Sequence, residues 1–108
     1  MSAANELTNQ IIDHVYKAGG YAWRSSSVGV FDSKRAMFRA SAKKGVSDIL
    51  VVFKGILVAV EVKIGKDRFS PEQEGFMQNI QNAGGCAFVA SDFNSFLVGW
   101  EAFKKRFT

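Results

Sequence analysis

The sequence predicts an α/β fold in which helices flank a mixed central β-sheet, in the order αβββαβα. Three observations predict it. Apolar residues recur at helical spacing near both ends of the chain, two β-branched runs flank a two-residue turn, and a serine-proline helix start follows those runs. The 108 residues fit one domain, 1–108, because typical domains hold about 100 to 150 residues.

The first part of the chain predicts one helix and one strand before an irregular segment. Leu7, Ile11 and Val15 share one face of a helix over residues 5–18, which the Gly19-Gly20 pair ends. A short strand over residues 21–24 follows. Residues 25–45, rich in serine, glycine and basic side chains, predict a long loop or an irregular hairpin.

An antiparallel hairpin is predicted next, with strands at 48–53 and 56–64 joined at Lys54-Gly55. Ser70 then provides the N-cap of a second helix, with Pro71 at its first position. A strand over 86–90 and a helix over about 95–107 complete the order. The aromatic stripe of this last helix predicts a core or dimer contact rather than a ligand site.

Composition narrows the possible functions. No apolar run approaches the roughly 20 residues that cross a bilayer, and the start MSAANELTNQ lacks the features of a secretory signal, so we expect a cytoplasmic protein without a membrane partner. One cysteine and one histidine cannot build a zinc site.

The net charge of +4 is concentrated in one segment. Residues 24–44 hold six cations and one anion, whereas the rest of the chain holds eight cations and nine anions. Such a segment is typical of contact with phosphates, although a solvated basic loop would have the same composition.

Alternation along the second hairpin strand brings two charged residues to one face. Val58, Val60 and Val62 face one way, whereas Glu61 and Lys63 face the other, with Cα atoms roughly 7 Å apart. If the turn is tight, Asp48 lies opposite Glu61, with Cβ atoms about 5 Å apart.

Two carboxylates this close repel each other unless a cation lies between them, and their hard oxygens favour Mg²⁺ or Mn²⁺. Two alternatives remain at this point. Glu61 and Lys63 could form a salt bridge on a solvent-facing sheet, and Asp48 could be an ordinary strand-start residue.

These residues resemble a known nuclease signature. Gly45-Val46-Ser47-Asp48 followed by Glu61-Val62-Lys63 resembles the D…ExK motif of the PD-(D/E)XK superfamily, with Ser47 where the superfamily has proline. The stretch from Glu61 to Gln73 is similar to the VRR-NUC family, in which EVK is followed by a glycine turn, Asp-Arg, a serine cap and a glutamine. The resemblance spans roughly residues 6–93 and implies a restriction-endonuclease-like fold.

The resemblance also implies roles for individual residues. Asp48 and Glu61 would bind the metal with the backbone carbonyl of Val62, and Lys63 would orient or deprotonate water and offset charge on the phosphate. Glu6 matches an additional acidic metal ligand, although acidic residues also favour a helix's first turn. Gln73 matches a catalytic or phosphate-positioning glutamine, yet it could equally form a capping box with Ser70.

The sequence therefore predicts a Mg²⁺- or Mn²⁺-dependent DNA endonuclease. The resemblance implies a homodimer that cuts four-way junctions or other branched DNA. The alternatives are a nicking or general nuclease acting with a replication or repair partner, and a non-catalytic nucleic-acid-binding module. The phosphate contacts are expected to come from basic residues, namely Arg24, Arg39, Lys43, Lys44, Lys66 and Arg68.

Overall fold

A computed structural model describes residues 2–25, 30–32, 37–39 and 45–107, with only the backbone of 30–32 and 37–39. The elements are α1 (Ala3–Lys17), β1 (Tyr21–Arg24), β2 (Val30–Asp32), β3 (Met37–Arg39), β4 (Ile49–Phe53), β5 (Ile56–Val62), α2 (Pro71–Asn82), β6 (Cys86–Ala90) and α3 (Phe93–Phe107).

The central sheet has the strand order β1-β4-β5-β6. Its first three strands pair antiparallel and β6 joins β5 in parallel, so the sheet is mixed, as predicted. Two short strands, β2 and β3, follow β1 in the sequence and pair only with each other, as a separate two-stranded sheet. This small hairpin lies within residues 25–45, for which the sequence predicted either a long loop or an irregular hairpin.

The turn between β4 and β5 sets the register that the site depends on. Lys54 and Gly55 both have positive φ angles, 51° and 80°, which is the backbone of a two-residue type I′ turn. Phe53 therefore pairs with Ile56, and the pairing runs without a bulge to Ile49 opposite Val60. The predicted tight-turn register is confirmed over these pairs.

The two faces of the sheet are covered differently. On one face α1 and α3 pack over a core that includes Val58, Val60 and Val62, so the predicted alternation along β5 is confirmed. The aromatic stripe of α3 belongs to this core, since Phe96 and Trp100 are fully buried. On the other face α2 contacts only β5 and β6 among the described elements.

The helices of the described segments are all too short or too polar to cross a membrane.

Candidate active site

The candidate site lies where the entry to β4, the end of β5 and the first turn of α2 meet. Asp48 is half-buried and immediately precedes β4. Its Oδ2 accepts a hydrogen bond from the backbone N–H of Val62 at 2.8 Å, and its own carbonyl accepts one from Ser25 N–H at 2.9 Å. These two bonds hold Asp48 between β1 and β5, next to Glu61.

Glu61 is the buried acid of the site, with 1% of its surface exposed. Its Oε1 accepts a hydrogen bond from Gln73 Nε2 at 3.2 Å, and Lys63 Nζ lies 3.9 Å from the same oxygen. Its Oε2 is buried and has no hydrogen-bond partner among the residues that the structure describes. A buried carboxylate oxygen left in this state is costly unless a proton or a cation compensates it.

The protonation of Glu61 reflects this environment. Burial, first, and then the adjacent Asp48 carboxylate raise the pKa of Glu61 from 4.5 to about 8. The Lys63 ammonium and the Ser47 hydroxyl oppose the rise without cancelling it. At neutral pH the pair therefore retains a proton that a divalent cation could replace.

The donors present fit Mg²⁺ or Mn²⁺. Asp48 and Glu61 offer carboxylate oxygens, the ligands these ions prefer, and the partnerless Oε2 marks where charge compensation is missing. Within the described part of the chain, no three acidic, histidine or cysteine side chains form a metal-binding group. Glu6 is thus not brought together with the other two acids; it is exposed on α1 and lines a shallow depression with Ile64.

Lys63 is held beside the two carboxylates. Its Nζ donates a hydrogen bond to Gln73 Oε1 at 2.9 Å and lies 5.3 Å from the centre of the Phe69 ring. The side chain is largely buried, so these contacts restrict where the ammonium can go. An ammonium group held in this position can stabilise the negative charge of a phosphate that binds next to the two carboxylates.

Gln73 combines the two roles that the sequence left as alternatives. Its backbone N–H donates to Ser70 Oγ at 3.1 Å, and its Oε1 accepts from Ser70 N–H at 2.9 Å, which completes a capping box. The same side chain also reaches Glu61 and Lys63. The start of α2 is therefore tied directly to the charged residues of β5.

Two contributors to the site were missed by sequence reasoning. Gly45 has φ +78°, and a Cβ there would lie 2.3 Å from the backbone oxygen of Glu72, so only glycine allows the loop before Asp48 to pack against α2. Ser47 is fully buried, and its hydroxyl is close enough to Glu61 to lower the pKa of that carboxyl. Neither carried a signal of its own, because both contacts join segments distant in sequence.

Comparison with known proteins agrees with this geometry. The sequence profile of the VRR-NUC domain matches residues 8–92. The chain belongs to the VRR-NUC family. The matched residues include Asp48, Glu61, Lys63 and Gln73, whereas Glu6 lies before the match. No curated protein sequence matches the chain.

A solved structure shares the fold of this VRR-NUC domain. It is Hjc from Archaeoglobus fulgidus, described as a Holliday junction resolvase from an archaeal hyperthermophile. The TM-score is 0.56 at 22% sequence identity, over 82% of this chain and 67% of the resolvase. The match confirms the restriction-endonuclease-like fold, and the family assignment supports a nuclease.

The basic residues expected to contact DNA fall into three groups. Arg24 is exposed, and its guanidinium donates hydrogen bonds to Asn9 Oδ1 at 2.9 Å and to Asn5 Oδ1 at 3.2 Å. These bonds link β1 of the VRR-NUC domain to α1. Lys66 and Arg68 are exposed in the loop that leaves β5 beside the site. The side chain of Arg39 and the residues Lys43 and Lys44 lie outside the described residues.

Proposed function

We propose that this VRR-NUC domain is a Mg²⁺- or Mn²⁺-dependent endonuclease that hydrolyses phosphodiester bonds of DNA. The observation that carries the proposal is the buried, partnerless oxygen of Glu61 beside Asp48, with the Lys63 ammonium fixed next to them. A structural salt bridge between Glu61 and Lys63 alone would leave that oxygen and the nearby Asp48 carboxylate uncompensated.

Each side chain has a defined part in the proposed reaction. Asp48, Glu61 and the Val62 carbonyl would hold the cation, which when bound would supply Lewis acidity to the scissile phosphate and to water. Lys63 Nζ orients the attacking water and offsets the negative charge that develops on the phosphate. Gln73 keeps Lys63 Nζ and Glu61 Oε1 at fixed positions through its two hydrogen bonds.

Glu6 could complete the cation's shell only indirectly in this arrangement, for example through water, because it is exposed and not grouped with Asp48 and Glu61. It also lies outside residues 8–92, the part of the chain that matches the family profile. We therefore assign the first coordination sphere to Asp48, Glu61 and Val62.

We further propose branched DNA, with a four-way junction first, as the substrate and a homodimer as the active form. The shared fold with a protein described as a Holliday junction resolvase supports this choice. Two sites at a fixed separation suit a symmetric junction. Lys66 and Arg68, exposed beside the site, would contact phosphates without reading bases, as would the basic residues of the 24–44 segment.

The test compares cleavage with binding. Labelled junction, flap, duplex and single-stranded DNA are incubated with Mg²⁺ or Mn²⁺ for cleavage, and with Ca²⁺ for binding. We expect the junction to be cut fastest. Lys63→Ala should slow cutting by roughly 100-fold or more while leaving binding largely intact.

Lys66→Ala is the matched control, since it removes an exposed lysine three residues further along the same segment. It should weaken binding modestly through one lost phosphate contact and leave the cutting step itself unchanged. Absence of products with every substrate and either cation would refute the nuclease, and equal rates on all four substrates would refute junction selectivity alone.

A further inference from the structure

Two exposed aromatic side chains stand on the edge strand of the sheet. Tyr21 is 59% exposed and Trp23 is 37% exposed, and their ring centres lie 5.5 Å apart. They project from the same face of β1, because the intervening Ala22 is buried in the core on the opposite face. Exposed aromatic pairs of this kind are unusual on a surface without a binding role.

This part of the sheet has no helix over it among the described elements. α2 packs on β5 and β6, whereas β1 contacts β4 and, on the core side, α1. The neighbouring strand extends the apolar surface, since Val52 pairs with Tyr21 and is itself exposed. Tyr21, Trp23 and Val52 therefore form an exposed apolar strip on this face, beside the strands that α2 covers.

The strip continues directly into the candidate active site. Trp23 pairs with Leu50, and the same register carries on to the hydrogen bond from Ser25 N–H to the carbonyl of Asp48. Asp48 is thus the diagonal neighbour of Trp23 on this face, at a Cα separation of about 7 to 8 Å. A nucleotide adjacent to one whose phosphate lies at Asp48 would therefore be within reach of Trp23.

One of the two rings, that of Tyr21, is contacted by a side chain of α1. Tyr16 on α1 donates a hydrogen bond from its hydroxyl to the Ala22 carbonyl at 3.0 Å, and its ring meets Tyr21 edge-on with centres 5.9 Å apart. The planes of the Tyr21 and Trp23 rings are tilted by 38° to each other, so a base would stack on one ring at a time. A ring that is already held in place loses little conformational entropy when a base stacks on it.

We propose that Trp23 and Tyr21 form a stacking platform for unpaired nucleobases next to the scissile phosphate. The proposal rests on the proposed nuclease function and adds to it that bases unpaired at the branch point of the DNA, as in a flap or at the opened centre of a junction, are held beside the cleavage site. Stacking on aromatic side chains accepts every base, because every base has a π-face, so it selects for exposed bases rather than for sequence. Paired bases inside a duplex cannot reach the rings.

A nucleobase suits this surface better than a second copy of the chain. A second protein molecule seated on the strip would also cover Asp48, its neighbour on the same face, and would obstruct the approach of a DNA strand to the site. The two side chains also carry a hydroxyl and an indole N–H, polar groups that suit contact with a polynucleotide better than a purely apolar interface.

The experiment measures binding in Ca²⁺, where no cutting is needed. DNA with 2-aminopurine at an unpaired position of a flap is compared with a fully paired duplex of the same sequence. We expect quenching of 2-aminopurine when the wild-type protein binds the flap. Trp23→Ala should remove most of the quenching and weaken flap binding roughly tenfold, with no more than about a twofold effect on the duplex.

Two further variants guard the interpretation. Trp23→Phe keeps a π-face and should retain most of the flap affinity. Val98→Ala removes another exposed apolar side chain, 72% exposed on α3, and should change neither substrate. Circular dichroism checks that each variant is folded.

Three outcomes would overturn the platform. Equal weakening of flap and duplex by Trp23→Ala would mean that the strip serves phosphate or shape contacts only. An unchanged flap affinity with unchanged quenching would remove the role of Trp23. A shift from dimer to monomer in sedimentation, with flap preference retained, would assign the strip to a second copy. Failure of the nuclease proposal is seen separately, as absence of cleavage by the wild type in Mn²⁺.

Discussion

Raising the pH of the metal-free protein from about 5 to about 9 should lower its free energy of unfolding, because the native structure holds a proton on Glu61 that the unfolded chain releases. The pKa of this carboxyl is 4.5 in its ordinary state and about 8 in the fold. Stability contributed by the bound proton is therefore fully present below pH 4.5. It declines as the pH rises and is lost above about pH 8.

The size of the loss follows from the same two values. A tenfold change in proton affinity corresponds to about 1.4 kcal/mol, so the distance from 4.5 to about 8 corresponds to an upper limit of roughly 5 kcal/mol. Domains of this size are stable by roughly 5 to 15 kcal/mol in total. The effect should therefore be large enough to measure in any unfolding experiment.

Urea unfolding in EDTA at a series of pH values measures this effect, with Glu61→Gln as the control that keeps the side chain's size but cannot ionise. The difference between wild type and control isolates Glu61 from the other titrating groups. Saturating Mn²⁺ should restore wild-type stability at high pH, because the cation replaces the proton, and should do little for the control. Parallel pH curves for the two proteins would refute the reasoning.

Two further substitution pairs test how the site is assembled. Gly45→Ala should lower the free energy of unfolding by about 2 kcal/mol or more, because its Cβ would clash with the backbone of α2, whereas Gly55→Ala, at a similar φ with open space around it, should lose only about 1 kcal/mol in urea unfolding. Ser70→Ala should lower the free energy of unfolding by about 1 kcal/mol and leave most DNA cleavage intact, because only the helix cap is lost. Gln73→Ala should lower stability and also impair DNA cleavage, because Gln73 contacts Lys63 and Glu61 as well. Equal stability of Gly45→Ala and Gly55→Ala would count against the packing role of Gly45. Equal cleavage by Ser70→Ala and Gln73→Ala would count against the role of Gln73 in the site.

Much of the fold followed from local rules. The strand bounds around Lys54 and Gly55 were predictable because these two residues form the turn type that the hairpin geometry requires. With the turn fixed, side-chain alternation placed Glu61 and Lys63 together on one face. The arrangement of Asp48 near Glu61 followed by counting along the two strands.

The contacts between distant segments did not follow from such rules. The packing of Gly45 against the start of α2 depends on how the helix lies on the sheet, which no local pattern specifies. The hydrogen bonds of Arg24 to Asn5 and Asn9 likewise join distant segments, and the charge of Arg24 alone gave no sign of them. The double use of Gln73, as cap and as a contact of Glu61, could be recognised only with both partners in place.

The most direct test of the central claim is a Mn²⁺ titration followed by electron paramagnetic resonance and calorimetry. Wild-type protein should bind Mn²⁺ at a site that Asp48→Asn and Glu61→Gln each weaken by about tenfold or more, with protons released on binding. Glu72→Gln, an exposed acid on α2 next to Gln73, should bind like the wild type. Undiminished Mn²⁺ binding by the Asp48 and Glu61 variants would contradict the assignment of these two carboxylates as a shared cation site.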